Sequence, residues 1–107
     1  MVNMMKLMKQ AQSMQANMKK AQEEVAEKTV EFSSGGGMVT VVARGDMTVQ
    51  SVKIDPKVVD PDDVEMLEDL VLSAVDGALK EAKDVASSEM QKVAQDLGLP
   101  PGMDLPF

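Results

Sequence analysis

The sequence predicts an α+β fold in one domain spanning residues 1–107, with a long N-terminal helix, a three-stranded antiparallel meander, a long C-terminal helix and an extended tail. Apolar residues recur at spacings of three and four through the first 25 or so positions, then at spacings of two, then at three and four again. Gly35-Gly36-Gly37 and Gly45 fall where alternating segments must reverse, and Gly98 where the last helical period ends. A length of 107 residues allows one modest core rather than two.

The first helix is expected from about Asn3, a side chain suited to capping, to Glu27. Its apolar seam is Met4, Leu7, Ala11, Met14, Met18, Ala21 and Val25, a coiled-coil-like repeat. Residues 29–33 alternate as a strand does, with Val30 and Phe32 on one face. Gly35-Gly36-Gly37 supplies a turn, and residues 38–44 form the second strand, carrying Val39 and Val41. Gly45-Asp46 turns the chain into a third strand over residues 47–54. There the apolar phase slips, so a β-bulge near Gln50-Ser51 is needed to keep Met47, Val49, Val52 and Ile54 on one face. Short turns between consecutive strands make the sheet an antiparallel meander.

Asp55-Pro56 ends the sheet. Asp60-Pro61-Asp62-Asp63 then reads as a helix start, with an Asp cap, Pro in the first turn and acids near the positive end of the helix dipole. The second helix is expected over about residues 61–97, stopped by Gly98 and Pro100-Pro101, with an extended tail over 98–107. At 1.5 Å per residue the helices measure roughly 37 Å and roughly 52 Å. Three short strands cannot cover that length, so both helices project. A second apolar sheet face is also expected, carrying Val42 with Met38 or Val39. So much apolar surface calls for a second copy of the chain.

Charge is distributed unevenly. The chain carries −7 overall, yet Met1 to Gln22 holds four lysines and no acid, leaving −11 on the remainder. A basic arm on an acidic body suits a polyanion or an acidic protein surface. Lys19 and Lys20 precede Glu23 and Glu24 by four residues, and Lys80 lies between Asp76 and Asp84, so local pairing can answer these lysines. Lys6 and Lys9 have no acidic neighbour along the helix. Lys92 belongs to the far end of the second helix, flanked by Glu89 and Asp96.

Other chemistry is poorly supplied. The chain has no His and no Cys, so the commonest general base and the best nucleophile are missing, and no catalytic residue is assigned. The acids Asp60, Asp62, Asp63, Glu65, Glu68 and Asp69 lack calcium-loop spacing and sit where acids favour a helix start, so neither metal nor cofactor is expected. No Lys-Ser/Thr follows the glycine triplet, which suits a hairpin rather than a phosphate cradle. Eleven methionines favour adaptable packing, and the seam Met4, Leu7, Met14, Met18 reads, with Val30, Phe32, Val39 and Val41, as a core or dimer seam. The absence of a signal core or a membrane-length apolar run gives a cytoplasmic expectation with no membrane partner.

Four blocks, in order, give the chain a recognisable character: Met4-Met5-Lys6-Leu7-Met8-Lys9-Gln10-Ala11-Gln12 followed by Met14-Gln15; Val52-Lys53-Ile54-Asp55-Pro56; Glu65-Met66-Leu67-Glu68-Asp69-Leu70-Val71; and Leu99-Pro100-Pro101-Gly102 ending in Pro106-Phe107. Each is weak alone. Together they resemble the YbaB/EbfC family of bacterial nucleoid-associated proteins across nearly the whole chain.

The resemblance implies a tweezers-like homodimer, located with the nucleoid in the cytoplasm, that binds duplex DNA through helical prongs with little sequence preference. It makes Lys6 and Lys9 the first candidates for phosphate contacts, with Lys20 and Lys92 behind them. The tail departs from the family pattern, because Asp104 stands where a basic residue is common. No aromatic platform exists for unstacked bases, so single-stranded nucleic acid is disfavoured. The alternative is a protein-interaction adaptor for recombination or replication factors, using the methionine seam or the Pro-Phe tail.

Overall fold

The computed structural model describes residues 3–96. In chain order the elements are α1 (Met4–Glu27), β1 (Thr29–Ser34), β2 (Val39–Arg44), β3 (Val49–Ile54), a short 3-10 turn (Pro56–Val58) and α2 (Val64–Asp96). The strands form one antiparallel sheet in the order β1-β2-β3. The expected tail over 98–107, and Leu97 at the expected helix end, lie outside the described residues.

Asn3 caps α1 as its sequence predicts, its side-chain oxygen accepting from the amides of Met5 and Lys6 at 3.1 and 3.3 Å. The helix stops at Lys28, whose amide donates to the Val25 carbonyl before the chain extends into β1. Gly35, Gly36 and Gly37 all take positive φ, at +60°, +67° and +93°, a path that three successive side chains would resist. This is the expected hairpin turn. The expected bulge is also present: Val42 pairs with Ser51 and Ala43 with Val49, leaving Gln50 as the extra residue.

Two boundaries differ from expectation. The third strand starts at Val49 rather than at position 47, because Met47 takes a positive φ of +67° to close the turn. That position usually belongs to glycine. Met47→Gly is expected to raise stability by about 0.5–1 kcal/mol in thermal unfolding, the relief of left-handed strain exceeding glycine's entropic cost. The second helix starts at Val64 rather than at Pro61. Asp60 instead closes a turn, accepting from the Asp62 amide at 2.9 Å, and Asp63 is the cap, accepting from the Met66 amide at 3.2 Å.

The core lies between α2 and the sheet. Val39, Val41 and Ala43 on β2 and Ala74, Ala78 and Ala82 on α2 are all fully buried. Alanines at every fourth position let the helix approach the strands closely. Gly77 takes this further, since a Cβ there would collide with the Phe32 ring. Cross-strand register places Val30, Phe32, Val49, Val52 and Ile54 on this same face.

The opposite face corrects the expectation of a second apolar surface. It carries Glu31, Ser33, Thr40, Arg44, Ser51 and Lys53 around Val42, and Val39 belongs to the buried face.

Beyond the sheet, α2 continues alongside the root of α1, where Val25, Met90 and Ala94 are buried. Lys28 bridges Glu89 at 3.2 Å, the single ion pair within 4 Å among the described residues. The pairing expected of Lys19 with Glu23, Lys20 with Glu24 and Lys80 with Asp76 or Asp84 is therefore not closed at contact distance. Exposed pairs of this kind gain too little to hold two long side chains together. The radius of gyration is 19.9 Å and the longest extent 77 Å, against about 13 Å for the radius of a compact chain of 100 residues. The expected projection is present.

Candidate nucleic-acid interface

The lysine arm is the part of α1 that nothing else among the described residues covers. Residues 3–17 are exposed on every side, and the first half-buried side chain is Met18. Met4, Leu7 and Met14 are therefore not core: Met4 is 68 % exposed and the other two also face solvent. The reason is length. The register set by Lys28 and Glu89 brings Asp96 level with roughly residue 21 of α1, and no described residue lies alongside the next 25 Å or so of helix at 1.5 Å per residue. Of the other seam residues, Val30 is half-buried, Phe32 lies partly exposed against Gly77, and Val39 and Val41 are wholly buried.

Lys6 and Lys9 project from this free helix and border a shallow depression with Gln10, Ser13, Met14 and Asn17. At 100° per residue Lys6, Lys9, Gln10, Ser13, Asn17 and Lys20 occupy an arc of about 100°, off the methionine seam. From Lys6 to Lys20 that strip runs about 21 Å and includes no acid. Gln10, Ser13 and Asn17 were not among the residues expected from sequence. The signal was available in their three- and four-residue spacing from Lys6, but neutral donors draw less attention than charge.

The four lysines do not form one cluster. Lys20 shares the α1 strip near its root. Lys92 lies on α2, about 25 Å from Lys6 and Lys9 along the prong by the same register. The antiparallel pairing is as expected, but α2 is too short as described to carry Lys92 to the tip.

The acids sit elsewhere. Glu23 is the first acid along α1, about 21 Å beyond Lys9. Asp46 shows a resolved electrostatic effect: the Thr48 hydroxyl and amide both donate to its carboxylate, the hydroxyl having the larger influence, and hold its pKa below the usual value of 3.8. A depressed native pKa favours folding above the unfolded value, and that contribution is lost as pH falls through the native one. Thr48→Val is therefore expected to move the Asp46 titration back up toward 3.8, as read by NMR of its side-chain carboxyl.

A second concavity, of about 540 Å³, separates the root of α1 from α2. Its walls include Val25, Met47, Ala86 and Met90, with Lys83 the charged side chain among its lining. It gathers no pair of groups suited to acid–base or nucleophilic work. Among the described residues no helix is long and apolar enough to cross a membrane.

Comparison with known proteins adds a common thread. The model of the YbaB/EbfC DNA-binding family matches residues 1–97. A nucleoid-associated protein of Ruminiclostridium cellulolyticum is 54 % identical over 101 residues, covering 94 % of this chain and 88 % of its own. Another, from Bacillus thuringiensis, is 53 % identical over 103 residues, covering 96 % and 94 % respectively. In structure, the fold is shared with an uncharacterized protein of Helicobacter pylori, at a TM-score of 0.58 and 22 % identity over 73 % of this chain and 90 % of that one.

Proposed function

The chain belongs to the YbaB/EbfC DNA-binding family, and from that membership and its acid-free prong we propose that it binds duplex DNA as a homodimer, through phosphate contacts made by α1. The observation that carries this reading is the isolation of Lys6 and Lys9. They stand on a free helix about 21 Å from the nearest acid along it, roughly two Debye lengths at 0.1 M salt. The acidity of the body is thus screened at the prong, and a net charge of −7 is compatible with contact to a polyanion.

Lys6 and Lys9 are the principal phosphate ligands in this reading. Gln10, Ser13 and Asn17 add neutral donors along the same strip, as side-chain amides and hydroxyls commonly do on DNA backbones. Lys20 and Lys92 are supporting contacts nearer the body. Sequence preference is low in this reading, because the chain's single arginine, Arg44, lies in the sheet, away from the prong, and Gln10 and Asn17 act as donors to the DNA backbone rather than base readers. Family membership supports location with the nucleoid.

The test is a titration of duplex DNA at several salt concentrations, with oligomeric state measured alongside. Two copies each of Lys6 and Lys9 neutralise about four phosphates, for a log–log slope of affinity on salt near −3.6. Absence of binding at low salt, or a flat salt dependence, overturns the proposal.

A further inference from the structure

We infer that the cleft between the root of α1 and α2 is a binding site for a small amphipathic monoanion, an aliphatic carboxylate whose chain lies against the apolar walls and whose head group is held by Lys83. The inference is independent of the DNA reading above.

The cleft exists because small residues meet where the prong joins the body. Ala26 on α1, Gly45 in the β2–β3 turn and Ala86 on α2 are half-buried around it and fill little of the space between their backbones. The volume left is about 540 Å³, within the range of about 300–1,000 Å³ found for small-molecule sites. Val25 and Met90, both buried, belong to its walls.

Met47 completes those walls under strain. Its φ of +67° is one that residues with a Cβ resist, yet position 47 holds a long, adaptable thioether that lines the cleft. Glycine would turn the chain more easily and contribute no wall. Strain of this kind collects at ligand clamps.

The polar side of the cleft is cationic. Lys83 lines it with Ser87, about one turn further along α2, and Gln22 of α1 lines it too. Among the described residues no acid does so, in a chain with eighteen acids and eleven bases. Lys83 is also uncompensated along its helix. Three and four places away stand Leu79, Lys80, Ala86 and Ser87, whereas Lys80 has Asp76 and Asp84, and Lys92 has Glu89 and Asp96. An ammonium, a hydroxyl and a side-chain amide are donors that a carboxylate's lone pairs accept. A single cation on a chain of net charge −7 selects a monoanion over a phosphate dianion. The apolar walls select a hydrocarbon body over a bare anion.

The probe is decanoate, titrated by calorimetry into the full-length protein below the concentration at which it forms micelles. Saturable binding of one decanoate per chain is expected. Acetate has the head without the chain, and decyltrimethylammonium has the chain with the opposite charge. Both are expected to bind at least tenfold more weakly. Lys83→Gln is expected to weaken decanoate at least tenfold, through loss of a charge-assisted contact. Ala86→Leu, which fills the cleft, is expected to weaken it at least a hundredfold with helical ellipticity retained. Met47→Gly separates the site from fold stability. It is expected to raise the melting temperature and yet weaken decanoate at least threefold, a combination that general destabilisation cannot produce. Absence of saturable decanoate binding, equal affinity for decyltrimethylammonium, or undiminished affinity in Ala86→Leu overturns the inference. So does binding that emerges only when the homodimer is diluted to monomers, which would mean that the second copy already fills the cleft.

Discussion

Gly45→Ala is expected to destabilise the protein by about 2–3 kcal/mol, near the upper end for forcing an atom into occupied space. Gly45 is not needed for an unusual backbone angle, since it is absent from the positive-φ glycines. It is needed because a Cβ there would collide with the carbonyl oxygen of Val25. The obstacle is backbone rather than a side chain that can swing away. The Gly45 amide also donates to the Lys28 carbonyl at 2.8 Å, tying the β2–β3 turn to the point where α1 enters the sheet. An added methyl must part that joint or move the root of the prong, where Val25 is buried. For a domain of this size the loss lowers the melting temperature by roughly 10–20 °C at fixed protein concentration. Gly36→Ala is the control. Nothing lies within 4 Å of a Cβ at that position, so only the positive φ opposes the substitution, at about 1–2 kcal/mol. Equal effects at the two sites would show that the joint at Gly45 has room to relax.

The elements whose periodicity and punctuation agree were legible in the sequence. Asn3 at a helix start, three adjacent glycines between strands and a phase slip at Gln50 each correspond to a feature of the fold. Boundaries were less legible where two local chemistries compete. Asp60-Pro61 serves a turn as readily as a cap, and Asp63, one turn nearer the apolar stripe, takes the cap. Met47 has the apolar character of a strand residue, but the turn geometry claims it. Alternation sets Val39 with Val41 and opposite Val42, but which of the two faces meets α2 depends on packing that no local pattern supplies. The candidate site was legible as charge on Lys6 and Lys9, while Lys92 required a register between helices that no local pattern supplies. The exposure of the methionine seam was equally hidden, because a 3-4 repeat looks the same whether it is packed or faces solvent.

Lys6→Glu combined with Lys9→Glu is expected to reduce duplex affinity at least a hundredfold at low salt, below detection in a gel shift, without altering folding or oligomeric state. Both side chains are exposed on a free helix and contribute to no core, so their substitution leaves the packing untouched. Each reversal changes local charge by two, giving a change of eight across a dimer at the surface proposed to meet phosphate. Counterion release then gives way to repulsion. The neutral pair Lys6→Gln with Lys9→Gln separates charge from shape. It keeps hydrogen-bonding side chains on the strip and removes the cations, so the salt slope is expected to fall from near −3.6 toward zero. Lys92→Gln, about 25 Å away along the prong, is expected to change the slope by no more than about one per copy engaged. Triple alanine substitution of Gln10, Ser13 and Asn17 is expected to weaken binding while leaving the slope unchanged, because neutral donors displace no counterions. A charge-reversed prong that binds duplex as tightly as the native one would move the DNA contact off α1 altogether. A lost slope with intact affinity would mean that Lys6 and Lys9 touch phosphate but neutral groups supply most of the binding.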